Sequence, residues 1–474
     1  MPTITAQFLD RPIFRIVSEI AAERGVRAFV IGGFVRDCFL GCPRSDIDIV
    51  VEGSGIDFAK AVGKRIKANV TYFKNFGTAM LHFGGDEVEF VGARKESYRR
   101  ESRKPIVEDG TLEDDQQRRD FTINAMAFSL QQEDFGALVD PFGGIRDLND
   151  GIIRTPLDPD TTYSDDPLRM LRAVRFATRL STPEHPFTIV PESMASMRRM
   201  ADRLQILSCE RIAEELNKMM QTNDPARAFL LLDEAGLLPY VLPELLALKG
   251  VETVEGRGHK DNFAHSLAVL TNVANVSDKL YLRWAALLHD IGKPATKRFD
   301  PAVGWTFHGH EVVGARMVPK IFGRLRLSMD EMKYVQKLVR LHLRPIALVD
   351  DEVTDSAVRR LLFDAGDDID DLMLLCNADI TSKNEAKVAR IRANFELVKR
   401  KLVEVEAKDA IRNFKNPIDG DYVMKVYGIP PCAQIGQLKE MVKEAILDGV
   451  IGNNFEEADA FMRQHASELG LHEV

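Results

Sequence analysis

Asp46 and Asp48 lie two positions apart in the apolar stretch SDIDIVV, residues 45–51. Because side chains two apart in a β-strand point to the same face, both carboxylates would lie together while Ile47 and Ile49 face the core. Two adjacent carboxylates need a cation, and such hard oxygen ligands suit Mg²⁺, which takes its remaining ligands from water and substrate phosphates. Two ions held in this way could bridge an attacking hydroxyl and a leaving pyrophosphate. The pair therefore predicts a metal site for phosphoryl-transfer chemistry.

Two glycines and an arginine precede the aspartate pair in the sequence GGFVRD. Gly32 and Gly33 lack side chains, so the backbone there can approach a triphosphate closely and offer it N–H groups. Arg36 can hold phosphate oxygens through two parallel hydrogen bonds. The order of these residues predicts a phosphate-binding turn followed by a metal site, which is a stronger signal than a lone DxD sequence.

A third carboxylate is expected beside such a metal pair. The strand-like stretch DEVEFVGAR, residues 86–94, contains three candidates. We expect Glu89 to complete the catalytic set with the aspartate pair, and Asp86 or Glu87 remains an alternative. Alternating charges on a strand are also ordinary at a protein surface.

The elements that must position these residues change along the chain. Residues 28–140 combine short β-branched runs with glycine-containing turns, which indicates an α+β fold. After about residue 160, apolar residues recur at helical spacing, so the remainder is predicted to be almost entirely helical. The charged stretch 94–117 lies between two strand-like segments and is predicted to be a mobile loop.

Composition narrows the class of protein. With 474 residues, of which 45% are hydrophobic, the chain is long enough for roughly two to four domains. Its net charge of −9 argues against a surface that is basic throughout, so any contact with RNA must be local. Five scattered cysteines favour neither a disulfide framework nor a zinc site. Residues 1–11 do not resemble a secretory signal and no apolar run reaches membrane length, so a cytoplasmic location is expected.

Six stretches in the first half of the chain occur in a characteristic order: GGFVRDCFLG, SDIDIV, RRDFTINAMAF (118–128), DPFGG (140–144), DDPLRMLRAVRF (165–176) and SCERIAEEL (208–216). Together they resemble the motifs of class II tRNA nucleotidyltransferases and bacterial poly(A) polymerases. The resemblance implies an α+β head of the polymerase-beta type followed by an almost all-α neck. It also implies metal binding by Asp46 and Asp48, and nucleotide contacts by Arg119, Asp120 and Asn124.

Asp166 and Arg169, in the predicted neck, are of residue types that could recognise a nucleotide base through hydrogen bonds. They are three positions apart on a predicted helix, so their side chains would share one face. Cytosine and adenine both present an amine donor beside a ring-nitrogen acceptor, whereas guanine and uracil present the reversed pattern. A carboxylate that accepts and a guanidinium that donates would therefore select C and A without a template. The alternative is an ordinary surface ion pair of little energetic value.

More arginines follow on the same predicted helix. Arg172, Arg175 and Arg179 continue nearly the same stripe and could hold the triphosphate or the RNA backbone. A solvated helix face is the alternative. We expect Arg211, in SCERIAEEL, to be structural.

The second half contains a separate set of histidines and carboxylates, in FAHSLAVL (263–270), LLHDIGK (287–293), HGHE (308–311), VRLHLRP (339–345) and CNADI (376–380). These stretches resemble the HD superfamily of metal-dependent phosphohydrolases. Imidazoles and carboxylates on neighbouring helices form a mixed site for a transition metal or Mg²⁺. By this resemblance the ligands are His265, His289, Asp290 and Asp379, with His310 and His342 as a secondary pair. An inherited scaffold that positions RNA and binds metal weakly or not at all is the alternative.

We therefore expect four parts: a nucleotidyltransferase head (1–155), a helical neck with the nucleotide-selecting motif (156–240), an HD domain (241–400) and a C-terminal helical segment (401–474). A charged amphipathic stretch after residue 385 could touch the tRNA acceptor arm or simply form an exposed helix face. Its basic residues are Arg390, Arg392, Lys399, Arg400 and Lys401.

The function expected from these features is template-independent addition of CMP and AMP, from CTP and ATP, to the 3′ end of tRNA. The HD domain could add a metal-dependent phosphohydrolase activity. A poly(A) polymerase and an enzyme that adds only A or only the two Cs are the alternatives within the family. An HD phosphohydrolase whose first half merely docks RNA is the alternative from another class. The oligomeric state is left open.

Overall fold

The computed structural model describes residues 8–42, 45–74, 77–99, 102–350, 354–381, 385–409, 411 and 414–472. The chain divides into two compact units, residues 1–242 and 243–474. The four-part division expected from the sequence is finer than this and remains a prediction. Among the described residues, no helix has both the length and the apolar composition needed to cross a membrane.

The first unit contains the strands of the expected α+β head: β1 Ala28–Ile31, β2 Asp46–Val51, β3 Thr71–Phe73, β4 Thr78–Phe83, β5 Asp86–Gly92, β6 Arg94–Arg99, β7 Ser102–Asp109, β8 Ala127–Ser129 and β9 Leu138–Val139. Seven of them form one sheet in the order β3–β4–β5–β2–β1–β8–β9. Only the β2–β5 pair is parallel in this sheet. The central strand β2 therefore has a parallel neighbour on one side and an antiparallel one on the other.

The helices of the first unit are α1 Pro12–Arg24, α2 Gly33–Phe39, α3 Gly55–Ile66, α4 Leu112–Gln117, α5 Gly144–Asp150, α6 Pro159–Asp165, α7 Leu168–Arg179, α8 Pro191–Met200, α9 Cys209–Met220, α10 Pro225–Glu234 and α11 Leu238–Val241. Two short parallel strands, β10 Ile152–Ile153 and β11 Thr188–Ile189, accompany them. After residue 155 this unit is thus almost entirely helical, as the apolar spacing predicts.

Burial along β2 alternates as the sequence predicts. Ile47 and Ile49 are 1% and 0% exposed and belong to the core. Asp46 is exposed and Asp48 is half-buried, so the two carboxylates lie on the other face of the strand. The packing of the isoleucines determines which face the aspartates occupy, because a register slip of one residue would exchange the two faces.

The charged stretch 94–117 is not the loop that its composition predicts. Strands β6 and β7 form a two-stranded antiparallel hairpin, and α4 follows it. The ladder places Arg94 opposite Asp109 and Lys95 opposite Glu108. Opposite charges directly across an antiparallel pair stabilise it, so this hairpin needs little apolar surface.

Helix α7 is the central element of the neck. Leu168, Leu171 and Val174 are buried along one side of the helix, and its arginines lie on another. Arg175 differs from the other arginines because it is buried and pairs with the equally buried Glu215 of α9, at 2.6 Å. This ion pair joins α7 to α9 inside the neck.

The second unit is helical, with α12 Pro243–Leu246, α13 Asn262–Ala274, α14 Leu280–Leu288, α15 Lys293–Thr296, α16 His310–Leu325, α17 Met329–Leu341, α18 Arg344–Asp350, α19 Asp355–Ala365, α20 Ile369–Ala378, α21 Glu385–Asp409, α22 Gly420–Tyr427, α23 Ala433–Asp448 and α24 Phe455–His465. Two small hairpins interrupt it, β12 Thr253–Val254 with β13 Arg257–Gly258, and β14 Arg298–Asp300 with β15 Gly304–Thr306. The helical spacing of the sequence did not predict these hairpins.

Replacement of Arg175 by Met tests the buried ion pair of the neck. We expect the free energy of unfolding of the first unit to fall by about 3–5 kcal/mol, because the Glu215 carboxylate would remain buried without its cation. Urea denaturation of the full chain followed by circular dichroism measures this change. The double variant Arg175→Met/Glu215→Leu should recover most of the loss, since it leaves no unpaired buried charge. Equal stability of the single variant and the original protein would contradict this interpretation.

Candidate functional site

Three carboxylates meet at the centre of the sheet of the first unit. In the parallel ladder Asp48 lies beside Glu89, and Asp46 lies beside Glu87. Asp46, Asp48 and Glu89 line one cavity of about 410 Å³, and Glu87 contributes a further carboxylate to the lining. Burial raises the pKa of Asp48, Arg119 opposes this shift, and Asp46 adds to it. Burial and the nearby Asp48 also raise the pKa of Glu89.

These shifts have one physical meaning: the carboxylates are partly desolvated and repel one another. A divalent cation between them would relieve both effects, and oxygen ligands on neighbouring strands are of the type that Mg²⁺ binds. The residues present therefore fit such an ion. Of the two alternatives for the third carboxylate, Asp86 pairs with Arg11 at 2.5 Å, and Glu87 is exposed.

The glycine turn adjoins this carboxylate group. Gly32 has φ +83°, and a Cβ added to it would lie 2.8 Å from Nη1 of Arg119 and 3.5 Å from Oδ2 of Asp48. The missing side chain thus makes room for Arg119 beside Asp48. The Gly32 N–H donates to the carbonyl of Met126 at 3.2 Å, whereas Gly33 lines the cavity.

Buried Asp120 links the phosphate-binding turn to the neck. It does not line the cavity itself, and it accepts hydrogen bonds from Arg172 at 2.8 Å and from Asn124 at 3.0 Å. Asn124 in turn accepts from Arg36 at 2.6 Å. Burial alone would raise the pKa of Asp120, but Arg172 and Asn124 hold it at about 2. The carboxylate is therefore charged and fixes cavity-lining side chains from three separate elements.

Arg119 is held by a residue that the motifs did not single out. Asp115, fully buried on α4, accepts from Nε of Arg119 at 3.1 Å and from Nε of Arg118 at 2.9 Å. The i, i+3 and i+4 spacing of one acid and two arginines on a helical stretch was the available signal. Asp115 therefore orients Arg119 toward the cavity.

Phe176 is the second residue that the motifs did not single out. Three guanidinium groups lie 4.3–5.4 Å from the centroid of its ring: Arg36, Arg172 and Arg175. The face of an aromatic ring attracts cations, and more so where water is excluded. The ring lines the cavity, as do Arg172, Arg175 and Arg179 of the predicted arginine stripe. It therefore offsets part of the repulsion among these like charges.

Asp166 and Arg169 do not share a helix face. Asp166 has extended backbone angles and ends α6, whereas α7 begins at Leu168. The Asp166 carboxylate accepts from the Leu168 N–H at 3.1 Å and from Arg211 at 3.1 Å. Pro167 prevents an unbroken helix here, because the residue before a proline is disfavoured in helical conformation.

Arg169 is held by one backbone carbonyl before residue 155 and by one on α6. Its Nη2 donates to the Arg118 carbonyl at 2.6 Å, and its Nη1 donates to the Thr162 carbonyl at 3.4 Å. Neither Asp166 nor Arg169 lines the cavity that contains the three carboxylates. Arg211, expected to be purely structural, is the residue that orients Asp166.

The second unit brings its predicted metal ligands together. Two groups of three have ligand atoms within 4.8 Å of one another: His265, His289 and Asp379, and Asp290, His310 and His342. Asp290 joins the groups, because its Oδ2 lies 3.3 Å from His289 and its Oδ1 lies 3.2 Å from His310. The two sets predicted as primary and secondary are thus one continuous cluster.

Each histidine of this cluster is oriented through its other ring nitrogen. The Nδ1 atoms lie 2.7–3.0 Å from an oxygen of Ala286, Phe307, Val339 or Thr381. Such contacts fix the tautomer and direct Nε2 toward the centre of the cluster. Burial opposes a charge on His289, but Asp290 and Asp379 raise its pKa to about 10. Burial lowers the pKa of His342 to about 4.

The charged helix α21 offers fewer available cations than its sequence indicates. Lys399 pairs with Glu396 at 2.8 Å, and Lys401 pairs with Asp355 at 3.1 Å. The Nε of Arg400 donates to the Glu396 carbonyl at 3.4 Å. Arg390 is exposed, and the side chain of Arg392 lies outside the described residues. The contact with the tRNA acceptor arm remains a prediction.

Comparison with known proteins identifies the family. The A-adding tRNA nucleotidyltransferase of Deinococcus radiodurans is 34% identical over 368 residues, which cover 75% of this chain and 80% of that protein. The chain belongs to the tRNA nucleotidyltransferase family. The multifunctional CCA protein of Aromatoleum aromaticum is also 34% identical, over 71% of this chain and 81% of that protein.

Family models place the parts of this nucleotidyltransferase along the chain. Residues 28–154 match the poly A polymerase head domain, and residues 186–248 match a probable RNA and SrmB-binding site of polymerase A. Residues 262–383 match the HD domain. Nucleotidyltransferases of this kind depend on divalent metal ions, and the carboxylates of β2 and β5 are ligands of that type.

A solved structure shows the same fold. It is a tRNA nucleotidyltransferase complexed with a primer tRNA and an incoming ATP analog. It is 26% identical to this chain, with a TM-score of 0.55, and the alignment covers 81% of this chain and 98% of that one. The resemblance read from the motifs, the fold class and the enzyme class are thereby confirmed.

Proposed function

We propose that this nucleotidyltransferase adds CMP and AMP, from CTP and ATP, to the 3′ end of tRNA and so completes the CCA sequence. The observation that carries the proposal is the group of Asp46, Asp48 and Glu89 in an arginine-lined cavity, in a chain that belongs to this family. Its relatives include a multifunctional CCA protein and an A-adding enzyme. A cytoplasmic location stays a prediction.

In the proposed reaction the 3′ hydroxyl of the RNA attacks the α-phosphorus of the nucleotide, and pyrophosphate leaves. Asp46 and Asp48 would hold Mg²⁺, which when bound supplies positive charge at the attacking and leaving oxygens. Arg119, Arg172 and Arg179 line the same cavity and would balance the charge of the triphosphate. Asp115 holds Arg119, and Asp120 and Phe176 hold Arg172, before substrate arrives, so little reorganisation of these two groups remains during the reaction.

The A-adding relative makes addition of only the terminal A the main alternative. Three tRNA transcripts distinguish complete CCA addition from addition of only the terminal A. One ends before CCA, one ends after C and one ends after CC. Each is incubated with a single nucleoside triphosphate, and the products are sequenced. We expect CMP on the first two transcripts and AMP on the third. Extension of the third transcript alone would show an A-adding enzyme, and long A tails would show a poly(A) polymerase.

Replacement of Asp48 by Ala tests the metal-binding role of the aspartate pair. We expect nucleotide incorporation to be abolished, because the cation would lose one of its two principal ligands. Single-turnover incorporation of labelled CMP and AMP measures this. Glu89→Gln should also lower the rate strongly, whereas the matched Glu87→Gln, on the exposed neighbour, should not. Near-normal turnover of Asp48→Ala, with the circular dichroism spectrum unchanged, would refute the mechanism.

Asp166 and Arg169 are proposed to select the base through their hydrogen-bonding pattern. In the structure the Nη atoms of Arg169 donate to two backbone carbonyls, and Arg211 holds Asp166. Base recognition would therefore require Arg169 to exchange a carbonyl partner for the ring nitrogen of the nucleotide. Charged hydrogen bonds of this kind contribute roughly 1.5–3 kcal/mol, which is enough for discrimination.

Asp166→Ala should therefore change which nucleotide is chosen more than how well metal is bound. We expect the preference for CTP and ATP over UTP and GTP to fall by roughly tenfold or more, from the loss of one charged hydrogen bond. Competition among the four triphosphates on one transcript measures the preference. The adjacent carboxylate gives a matched control, Asp165→Ala, which should leave the preference unchanged. An unaltered preference in Asp166→Ala would remove the proposed role.

For the second unit we propose metal-dependent phosphohydrolase activity as an additional function. The observation that favours it is the continuous cluster of four histidines and two aspartates, with every imidazole Nε2 turned inward. Imidazole and carboxylate ligands suit a transition metal. A metal bound there would supply an activated water. Lys293 pairs with Asp290 at 2.5 Å and adds a positive charge beside the cluster.

One glycine brings the two halves of this cluster together. A Cβ added to Gly292 would lie 2.2 Å from the His310 carbonyl oxygen and 2.6 Å from the Gly314 N–H nitrogen. Only a residue without a side chain lets the turn after Asp290 lie against the start of α16. Gly323, on the same helix, has no atom within 4 Å of an added Cβ and gives a matched control.

Gly292→Ala should separate His310 from Asp290 and weaken metal binding by the HD cluster. We expect roughly tenfold weaker binding of Mn²⁺, as is usual when ligand orientation is lost. Isothermal titration calorimetry with Mn²⁺ measures this affinity. The titration is done in an Asp48→Asn background, which weakens the metal site of the first unit so that binding to the second unit is observed. Gly323→Ala should bind Mn²⁺ as the parent does, and both variants should retain CCA addition when Asp48 is present. Equal Mn²⁺ affinity of the two glycine variants would contradict the role of the close contact.

A further inference from the structure

A basic groove runs between α16 and α17 in the second unit. Its volume is about 370 Å³, and four of its seven lining residues are cations. The lining comprises Val312, Ala315, Arg316, Lys333, Gln336, Lys337 and Arg340. None of these residues belongs to the metal-ligand cluster described above. The groove is therefore a separate feature of this unit.

The floor of the groove is built around a proline. Pro319 lies inside α16 and has no N–H, so the Ala315 carbonyl cannot form its usual helical hydrogen bond. The side chain of Gln336 on α17 donates to that carbonyl at 2.8 Å instead. This hydrogen bond joins α16 to α17 within the groove and so fixes the spacing of the two helices there.

Three of the four cations are available for a ligand. Arg316, Lys333 and Arg340 are exposed, and none has an ion pair or a side-chain hydrogen bond within the described part of the chain. The fourth, Lys337, is engaged with Asp368 at 2.6 Å. In a chain whose net charge is −9, such a concentration of unpaired positive charge is unusual and costs self-repulsion.

The spacing of these cations suits an extended polyanion. Lys333 and Arg340 are seven residues apart on one face of α17, which corresponds to about 10 Å along the helix axis. Arg316 faces them from α16 across the groove. A single small anion would be held by cations that converge on one point, whereas successive phosphates of a strand can each meet a different side chain.

We propose that this groove binds the phosphodiester backbone of RNA, in the first place that of the tRNA substrate. The inference rests on the proposed function for the identity of the RNA, and on the unpaired cations for the site itself. Contacts of this kind carry no sequence information, and they hold the body of the RNA in position. They suit an enzyme that must accept many tRNA sequences.

The test compares two triple variants of the full chain that have equal net charge. The first is Arg316→Ala/Lys333→Ala/Arg340→Ala, which removes the three unpaired cations of the groove. The second is Arg298→Ala/Lys415→Ala/Lys425→Ala, which removes three exposed cations of the same unit that do not line the groove. Binding of a labelled tRNA transcript without CCA is measured by fluorescence anisotropy over a series of KCl concentrations.

We expect the groove variant to bind tRNA roughly tenfold or more weakly, with a salt dependence shallower by about three phosphate contacts, one for each cation removed. The control variant should bind as the original protein does. In steady state the KM for tRNA should rise in the groove variant, whereas kcat and the KM for CTP should not change. Equal tRNA affinity and equal salt dependence of the two variants would overturn the proposal.

Two further outcomes separate this inference from the proposed function. If the original protein adds no nucleotide to the transcript but the groove variant alone loses RNA binding, the groove stands and the proposed function fails. If CCA addition proceeds and the groove variant loses affinity for inorganic tripolyphosphate but not for tRNA, the site binds a small polyanion and the RNA proposal is overturned.

Discussion

The parallel pairing of β2 with β5 places Asp48 directly beside Glu89, and the functional site of the first unit is built around the repulsion between these carboxylates. The isoleucines of β2 are held in the core, so the aspartates cannot turn away from one another. Partial burial raises the pKa of both Asp48 and Glu89, which shows that each charge is costly without a cation. A divalent ion that arrives with the nucleotide would relieve that cost.

Around this acidic centre the arginines divide into two kinds. Arg175 is committed to Glu215 in the interior, and its guanidinium also lies against the Phe176 ring. Arg172 faces the cavity but is anchored by Asp120, whose carboxylate stays charged because Arg172 and Asn124 compensate its burial. An anchored cation such as Arg172 loses little conformational entropy when a triphosphate binds. The arginine stripe predicted on α7 therefore contains both a structural residue, Arg175, and a binding residue, Arg172.

The second unit also holds metal-ligand candidates in fixed positions, but most of them are histidines. Three of its histidines direct Nδ1 toward the backbone carbonyl three residues earlier in the chain, at Ala286, Phe307 and Val339. Asp290 connects the two triads through its two oxygens. On the flank of α16 and α17 lies a groove in which three of the four cations have no carboxylate partner among the described residues. The metal-ligand cluster and the polyanion site would thus occupy different surfaces of the second unit.

The sequence alone determined the elements whose signals are local. The period-two alternation of β2, the helical spacing of the neck and the ordered motifs were sufficient for the fold class, the family and the carboxylate pair. Pro167 is visible in the sequence and already indicates that Asp166 precedes α7, but only the tertiary structure decided that β6 and β7 form a hairpin and that Arg175 is buried. It also revealed the roles of Asp115 and Phe176 and the single cluster formed by six metal-ligand candidates. These features depend on contacts between residues far apart in the chain, or on charge pairing across strands, and no local period encodes them.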